Sequence, residues 1–130
     1  MSHTLHDIGI ASQIGSYGDA IEASPNLRWL MTSGTPGFTD AAKIPADITG
    51  QSELAWENVM RVLAKASMTV HDIVKVTQYL TRADDIKAYA QVRNRFLGTA
   101  RPASMLLVIP ELVWPSLLVE VEIIAAKAKQ

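Results

Sequence analysis

Two carboxylates lie in an otherwise apolar stretch near the end of the chain. The run Leu117–Ala125 is mostly aliphatic, yet it carries Glu120 and Glu122. This run predicts a β-strand, and because successive strand residues face opposite sides, the two glutamates share one face. That face is either turned to water or forms the floor of a pocket. In a pocket, a buried carboxylate with a raised pKa suits general acid–base chemistry.

The other reactive residue types form no comparable pattern. The chain has no cysteine, which excludes disulfides and thiolate chemistry. The histidines are His3, His6 and His71, and the sequence offers no third close ligand that would complete a zinc site. Neither GxGxxG, nor phosphate-loop spacing, nor a GxSxG elbow occurs. We therefore predict no metal and no cofactor.

Size and charge limit the class of protein. With 130 residues and 48% hydrophobic composition, the chain is expected to form a single domain over residues 1–130. The net charge of −1 offers no electrostatic surface for nucleic acid or an anionic membrane. The N-terminus lacks the pattern of a secretory signal, and no apolar run reaches the roughly 18 residues of a spanning helix. These features predict a cytoplasmic protein with neither membrane nor nucleic-acid partners.

Periodicity and turn signals divide the chain into strands and helices. The predicted strands are His3–Ile8, Tyr17–Glu22, Arg28–Thr32, Ile73–Leu80, Ser104–Ile109 and Leu117–Ala125. The predicted helices are Gln51–Ala66 and Asp84–Leu97, each with apolar residues at helical spacing. A short connection bounded by prolines separates the last two strands, which favours a paired-strand unit.

This order of elements predicts an α+β fold with one mixed sheet and two helices packed on one face. Strands joined through a helix usually pair in parallel by a right-handed crossover. No predicted helix remains to cover the second face, although Val, Ile and Leu populate both sides of several strands. An apolar face of this size predicts burial against further copies of the chain. We therefore expect an oligomer.

The three tryptophans are candidates for anchors or for ligand contacts. Trp29 and Trp56 lie within predicted regular elements, and we interpret them as core or interface anchors. Trp114 lies in the proline-flanked loop before the last strand. It either leans over a pocket or caps the predicted hairpin.

Several short segments resemble those of the Rid family (reactive intermediate deaminases, or YjgF-type proteins). Residues 14–17 (IGSY) resemble the IGPY turn of the family, and residues 31–34 (MTSG) resemble its TSGQ strand end. Residues 45–47 (PAD) and 56–59 (WENV) match its PAD…LxNV segment. Residues 72–77 (DIVKVT) and 118–125 (LVEVEIIA) are similar to its DIVKxTV strand and its VEIEAIA ending. The likeness covers nearly the whole chain in order.

The resemblance implies a chorismate-mutase-like fold, a homotrimer that closes a barrel, and small-molecule pockets between subunits. It also implies hydrolysis of reactive enamines and imines, such as 2-aminoacrylate, to 2-keto acids and ammonia. Pocket positions carried over from the family are Tyr17, Ser33, Gly34, Ser104, Leu106 and Glu120. By this resemblance, Glu120 and Tyr17 are the candidate catalytic residues, and the others bind substrate. Trp114 is a further candidate for substrate binding, because of its place in the proline-flanked loop and not by the resemblance.

One position departs from the family pattern. Many relatives have an arginine that grips the substrate where this chain has Ser104, and cysteine or threonine where it has Leu106. Losing one member of a buried charged pair costs about 2–5 kcal/mol, so a neutral serine is a poor replacement. Arg93 on the second helix and Arg101 are the possible substitutes, although a register slip of three residues would place Arg101 on the opposite face.

Two functions remain open from the sequence. The first is an enamine or imine deaminase-like hydrolase whose substrate is bulkier or lacks a carboxylate. The alternative is a non-catalytic small-molecule-binding or interaction protein that keeps the trimeric fold. Ribonuclease activity is disfavoured, because the chain has neither a basic face nor a histidine pair suited to cleavage.

Overall fold

The computed structural model describes residues 3–129, which form one mixed sheet, a small hairpin-like sheet and three α-helices. The elements in chain order are β1 (Thr4–His6), α1 (Ala11–Ile14), β2 (Ala20–Glu22), β3 (Leu27–Met31), β4 (Thr35–Pro36), α2 (Ile48–Lys65), β5 (Ile73–Leu80), α3 (Ile86–Leu97), β6 (Ala103–Val108) and β7 (Val119–Ala128). Short 3₁₀ turns at Val70–Asp72 and Ala83–Asp85 precede β5 and α3.

The main sheet has the strand order β3-β7-β5-β6, with β4 also paired to β7. Strand β7 runs antiparallel to β3, β4 and β5, whereas β5 and β6 are parallel. The β5–α3–β6 unit is therefore the parallel crossover that the sequence predicts. Strands β1 and β2 form a separate antiparallel pair. The α+β class with helices on one face of a mixed sheet is confirmed.

The predicted pairing of the last two strands is wrong. Strand β5 lies between β6 and β7, because the α3 crossover places β6 at the edge of the sheet, parallel to β5. Strand β7 instead enters the centre and pairs on both sides. Strands β3 and β5 lie on either side of helix α2 in the chain, but they do not pair. Strand β7 lies between them in the sheet. Local sequence shows that two strands are close in the chain, but it does not specify their long-range partners.

Several element boundaries also differ from the predictions. Helix α2 begins at Ile48, earlier than expected, because the Asp47 carboxylate accepts a hydrogen bond from the Gly50 amide at 3.2 Å and caps the helix. The short helix α1 occupies a segment predicted as a turn. Strand β2 covers only the end of the predicted Tyr17–Glu22 strand, so Tyr17 precedes it.

The two faces of the main sheet differ in their cover. Val119, Val121 and Ile123 are fully buried beneath α2 and α3, together with Trp56. The opposite face carries no helix within residues 3–129, and apolar side chains on it are exposed: Trp29 by 51%, Met31 by 69% and Met105 by 50%. Trp56 is thus a core residue, whereas Trp29 lies on the open face. Among these residues no helix combines the length and apolarity needed to cross a bilayer.

Gln51 joins α2 to two distant segments. It is fully buried, and its Nε2 donates to the carbonyls of Pro45 at 2.8 Å and Ser116 at 2.9 Å. Its Oε1 accepts from the Leu118 amide at 2.8 Å. This one side chain therefore satisfies three backbone groups and fixes the approach to β7.

We expect Gln51→Leu to lower the free energy of unfolding by about 2–4 kcal/mol, because it leaves those three backbone groups without partners. The matched control is Gln91→Leu on the exposed surface of α3, which is expected to change stability by less than about 0.5 kcal/mol. Urea unfolding of both variants measures the difference. Equal stabilities would show that Gln51 contributes only packing volume.

Candidate functional site

A cavity of about 360 Å³ lies between α1, α3 and the start of β6, and we call it the α3 cavity. Its wall combines three polar side chains with apolar ones: Tyr17, Arg93, Ser104, Ile14, Ile86, Ala90 and Leu106, with Gly15 and Met105. Ser104 and Leu106 alternate along β6 and face the same side, as the sequence predicts. Three of the predicted site residues therefore line one cavity.

A buried polar network supports this cavity from the sheet side. Gln78 on β5 is fully buried, and its Nε2 donates to Ser104 Oγ and to the Met105 carbonyl, both at 2.9 Å. Its Oε1 accepts from the Tyr89 hydroxyl at 2.7 Å and from Arg93 Nη1 at 3.2 Å. Burial raises the pKa of Tyr89, so its phenol stays protonated and donates. All four hydrogen-bonding positions of the Gln78 amide are thus used.

No motif in the sequence points to Gln78. The signal was present, because Gln78 shares a strand face with Val76 and Leu80, which are both fully buried. A polar side chain on a buried strand face must find partners, and here they are the residues that form the cavity wall. Such a position is a candidate for organising a site even without chemistry of its own.

Glu120 lies elsewhere, on the open face of the sheet. It pairs with Tyr79 on β5 and with Pro36 on β4, beside Gly34. A methyl group added at Gly34 would overlap the Glu120 carboxylate, so the absence of a side chain there allows the close approach. Ser33 is exposed, and its carbonyl accepts from the Thr35 hydroxyl at 3.1 Å. We call Ser33, Gly34 and Glu120 the Glu120 edge.

The protonation of Glu120 is perturbed in the direction that a general base requires. Burial raises the pKa of the Glu120 carboxyl above its ordinary value, and the negative charge of Glu122 raises it further. Glu122 shares the same face and accepts a hydrogen bond from the Tyr79 hydroxyl at 3.2 Å. The two carboxylates therefore differ in environment, although both are only partly buried.

Trp114 stacks on Phe38, with their ring centroids 4.8 Å apart. Phe38 and Gly34 line a further cavity beside α2, so Trp114 reaches the neighbourhood of the Glu120 edge rather than the α3 cavity. Trp114 is 44% exposed. Because β6 and β7 do not form a hairpin, its alternative role as a hairpin cap is wrong.

The predicted site residues thus form two groups on opposite faces of the sheet. Gln78 is aligned with Leu106 and with Val121, on the helix side, whereas its neighbour Tyr79 is aligned with Glu120 on the open side. Strand β5 also separates β6 from β7. One chain therefore does not bring Glu120 to the wall formed by Tyr17, Ser104 and Leu106.

The two candidate arginines are placed differently. Arg93 lines the α3 cavity, as described above. Arg101 donates from Nη1 to the carbonyls of Gly98 at 2.7 Å and Ala100 at 2.9 Å, and it borders a different cavity that includes His3 and His71. Within one chain, Arg101 therefore does not line the cavity that Ser104 borders.

Two of the three histidines have side-chain partners among the described residues. His6 Nε2 lies 2.8 Å from Glu22, and His3 Nε2 lies 3.1 Å from the Ala126 carbonyl. Within residues 3–129 no group of three or more histidine, aspartate or glutamate side chains is placed to hold a metal ion.

The fold is that of a Rid-type protein. The solved structure of a Rid-family protein from Yersinia pestis superposes with a TM-score of 0.85 over 98% of this chain and all of that one, at 21% sequence identity. The family model described as Endoribonuclease L-PSP matches residues 10–127. The chain belongs to this family, the Rid or YjgF-type proteins, as its sequence motifs indicate.

Individual relatives agree with this assignment. A RutC family protein of Haemophilus influenzae is 33% identical over 97 residues, which cover 74% of this chain and 72% of that protein. The Escherichia coli protein TdcF, provisionally named a reactive intermediate deaminase, is 30% identical over 83 residues, or 63% of this chain and 64% of TdcF. A crystal structure of E. coli TdcF with bound serine aligns with a TM-score of 0.72 over 88% of this chain and 91% of that one, at 26% identity.

Proposed function

We propose that this protein hydrolyses enamines or imines at a site shared between two copies of the chain. The observation that carries the proposal is the separation of the site residues. Tyr17, Ser104 and Leu106 line a cavity on the helix side, while Glu120, with its raised pKa, lies on the open face. Each group lacks what the other supplies, so two chains together make a complete site.

The open face supplies a reason for the chains to associate. Its exposed apolar residues would be buried in an assembly, and Trp29, Met31, Met105 and Leu107 are the main ones. A homotrimer in which the Glu120 edge of one copy faces the α3 cavity of the next satisfies both requirements. A cytoplasmic location remains a prediction.

The chemistry follows from these groups. The imine reacts in its form protonated at nitrogen, and the Glu120 carboxylate takes a proton from water as the water oxygen attacks the iminium carbon, which gives a neutral carbinolamine. The protonated Glu120 then returns that proton to nitrogen. As the C–N bond breaks, the Glu120 carboxylate takes the proton of the carbinolamine hydroxyl, so that a carbonyl compound and ammonia leave, and the last proton passes from Glu120 to the ammonia as ammonium. In this proposal the Gly34 amide of one copy and the Tyr17 hydroxyl of the other hold the water and the developing polar group. An enamine enters the same route after protonation at carbon.

The neighbouring side chains set the shape of the substrate. Ser104 Oγ accepts from Gln78, so its own hydrogen remains available to donate into the cavity. Leu106 offers an apolar wall. Because serine is much smaller than arginine, the cavity has room for a bulkier substituent than the smallest imines carry.

Freshly generated imines of increasing side-chain size test the activity, with ammonia and carbonyl product measured together. We expect stoichiometric release of both. Binding of these compounds without any release would instead support the non-catalytic binding protein. Nuclease activity is not proposed, since the net charge of −1 provides no surface for RNA.

Mixing two inactive variants tests the shared site. Glu120→Gln and Tyr17→Ala each damage a different group of residues. The two variants are co-refolded in equal amounts. A shared site is intact when a Glu120→Gln chain supplies the Tyr17 group and a Tyr17→Ala chain supplies the Glu120 group. Each condition is met in half of the sites, so about one quarter of the sites are intact. Recovery of about a quarter of wild-type activity is therefore expected. No recovery, with mixed assemblies verified by mass, would place the whole site within one chain.

A further inference from the structure

A cavity away from both residue groups collects side chains that the proposed hydrolysis does not use. It has a volume of about 270 Å³ and lies between the β1–β2 pair, the turn before β5 and the segment that joins α3 to β6. We call it the His3 cavity. Its polar side chains are His3, His71, Thr99 and Arg101, and no aspartate or glutamate among residues 3–129 lines it. Donors that converge from three parts of the chain favour an anionic ligand.

Arg101 is anchored at the end of α3. Its Nη1 donates to the Gly98 carbonyl at 2.7 Å and to the Ala100 carbonyl at 2.9 Å. Without Arg101 these two carbonyls would present their negative ends beside the cavity. Nε and Nη2 make no hydrogen bond with the residues that the structure describes. The guanidinium is therefore held through one nitrogen, while the other two can donate to a ligand.

His3 offers a different kind of contact. Its Nε2 lies 3.1 Å from the Ala126 carbonyl, and because a carbonyl only accepts, Nε2 carries the hydrogen. In the neutral ring Nδ1 is then an acceptor. Nδ1 is buried and has no hydrogen-bond partner within residues 3–129. Since a buried acceptor without a donor costs free energy, this atom favours a ligand that brings its own O–H or N–H group.

The ligand that fits is an anion that also has a hydrogen to donate. Hydrogen phosphate meets both requirements, because its oxygens accept from Arg101 while its P–O–H group donates to Nδ1 of His3. The side chains of His71 and Thr99 form no hydrogen bond with the described residues, so they can bind the remaining oxygens. The sulfate dianion has a similar shape and the same charge as the phosphate dianion, but it has no hydrogen.

We propose that the His3 cavity is a phosphate-binding site, in which Arg101 supplies the charge and His3 selects an oxyanion that carries a hydrogen. The site goes beyond the proposed hydrolysis and does not depend on it. Tyr17, Ser104 and Glu120 all lie outside the His3 cavity.

Calorimetric titration of the full-length protein with sodium phosphate and with sodium sulfate, at equal ionic strength, tests the proposal. At about pH 8 both oxyanions are dianions and free histidine is neutral, so the P–O–H group is the difference between them. We expect phosphate to bind with a Kd below about 1 mM and about tenfold more tightly than sulfate. Phosphate should also shift the Nδ1 signal of His3 in ¹H–¹⁵N NMR of the histidine rings.

His3→Gln tests the selection and also assigns the His3 signal by its disappearance. The glutamine amide can still donate to the Ala126 carbonyl, but it has no acceptor at the position of Nδ1. Phosphate affinity should fall by about tenfold, to that of sulfate, with sulfate affinity unchanged. The matched control is His6→Gln on the same strand, whose ring pairs with Glu22 outside the cavity and which should keep the preference for phosphate.

Arg101→Gln tests the charge. Both oxyanions should bind about tenfold more weakly or worse, because the charged hydrogen bonds are lost. Arg95→Gln is the matched control, since its exposed guanidinium pairs with Glu53 at 2.7 Å and should affect neither affinity. If Arg101→Gln does not fold, the comparison of the two oxyanions in the wild-type protein still decides.

Phosphate that binds no more tightly than sulfate, or that leaves the His3 signal unmoved, would overturn the inference. The absence of phosphate binding up to about 10 mM would also overturn it. The two proposals fail separately, because binding is measured without an imine. A phosphate preference that depends on His3, in a protein that hydrolyses no imine, would refute the hydrolase and leave the phosphate site intact.

Discussion

Replacing Glu120 with glutamine is expected to lower imine hydrolysis by about 10²- to 10⁴-fold, the usual contribution of a general acid–base group. Glutamine keeps the shape of the side chain but cannot accept the proton of the attacking water. Initial rates of ammonia release, with KM and kcat separated, provide the measurement. The loss should appear in kcat, because the carboxylate acts on water rather than on the bound substrate.

Glu122→Gln is the matched control on the same strand face. This variant should keep most of the activity, since Glu122 accepts from Tyr79 and is not placed against Gly34. A Glu122→Gln variant as damaged as Glu120→Gln would assign the catalytic role to the pair rather than to Glu120 alone. An unimpaired Glu120→Gln would remove Glu120 from the mechanism.

The pH profile gives the same assignment an independent test. Only the ionised carboxylate is a base, so the wild-type rate should fall as pH drops through the pKa of Glu120. Burial and the Glu122 charge raise that pKa, which places the fall at a higher pH than an ordinary glutamate would. Glu122→Gln removes the smaller of these two causes. Its acid limb should therefore move to lower pH without disappearing, and an unmoved limb would show that another group titrates.

Local sequence predicted the faces of the strands better than their neighbours. Alternation in β7 correctly buried Val119, Val121 and Ile123 and placed the two glutamates together on the opposite face. Alternation in β6 likewise put Ser104 and Leu106 on one wall. These results depend only on the two-residue period of side chains along a strand. That period is the same whichever neighbouring strand is paired and in whichever register.

The arrangement around that wall was less accessible from sequence. Strand β5 pairs with both β6 and β7, and the pattern of a short proline-bounded connection gave no sign of it. The closeness of Arg93 to Ser104 depends on how the α3 crossover packs on β5 and β6. It also depends on Gln78, whose partners are 11, 15 and 26 residues away in the chain. Hydrogen bonds of this range follow from topology rather than from local propensity.

Gln78→Leu is expected to have the largest effect on stability. Leucine fills a similar volume, but it leaves the Arg93 guanidinium without its Nη1 acceptor and the Tyr89 hydroxyl without its acceptor, both in buried positions. The free energy of unfolding should fall by about 3 kcal/mol or more. That is a large share of the roughly 5–15 kcal/mol of a typical domain, and it should lower Tm by about 10 °C.

A double-mutant cycle with Arg93→Met separates the unpaired charge from lost packing. Once the guanidinium is gone, Gln78 no longer has to accept from it, so the two substitutions together should destabilise less than the sum of the single ones. We expect a coupling free energy of about 1–3 kcal/mol from thermal and urea unfolding. Strict additivity would mean that the two side chains contribute independently. In that case Gln78 would not be what holds the cation at the cavity wall, and its role would be limited to Tyr89 and Ser104.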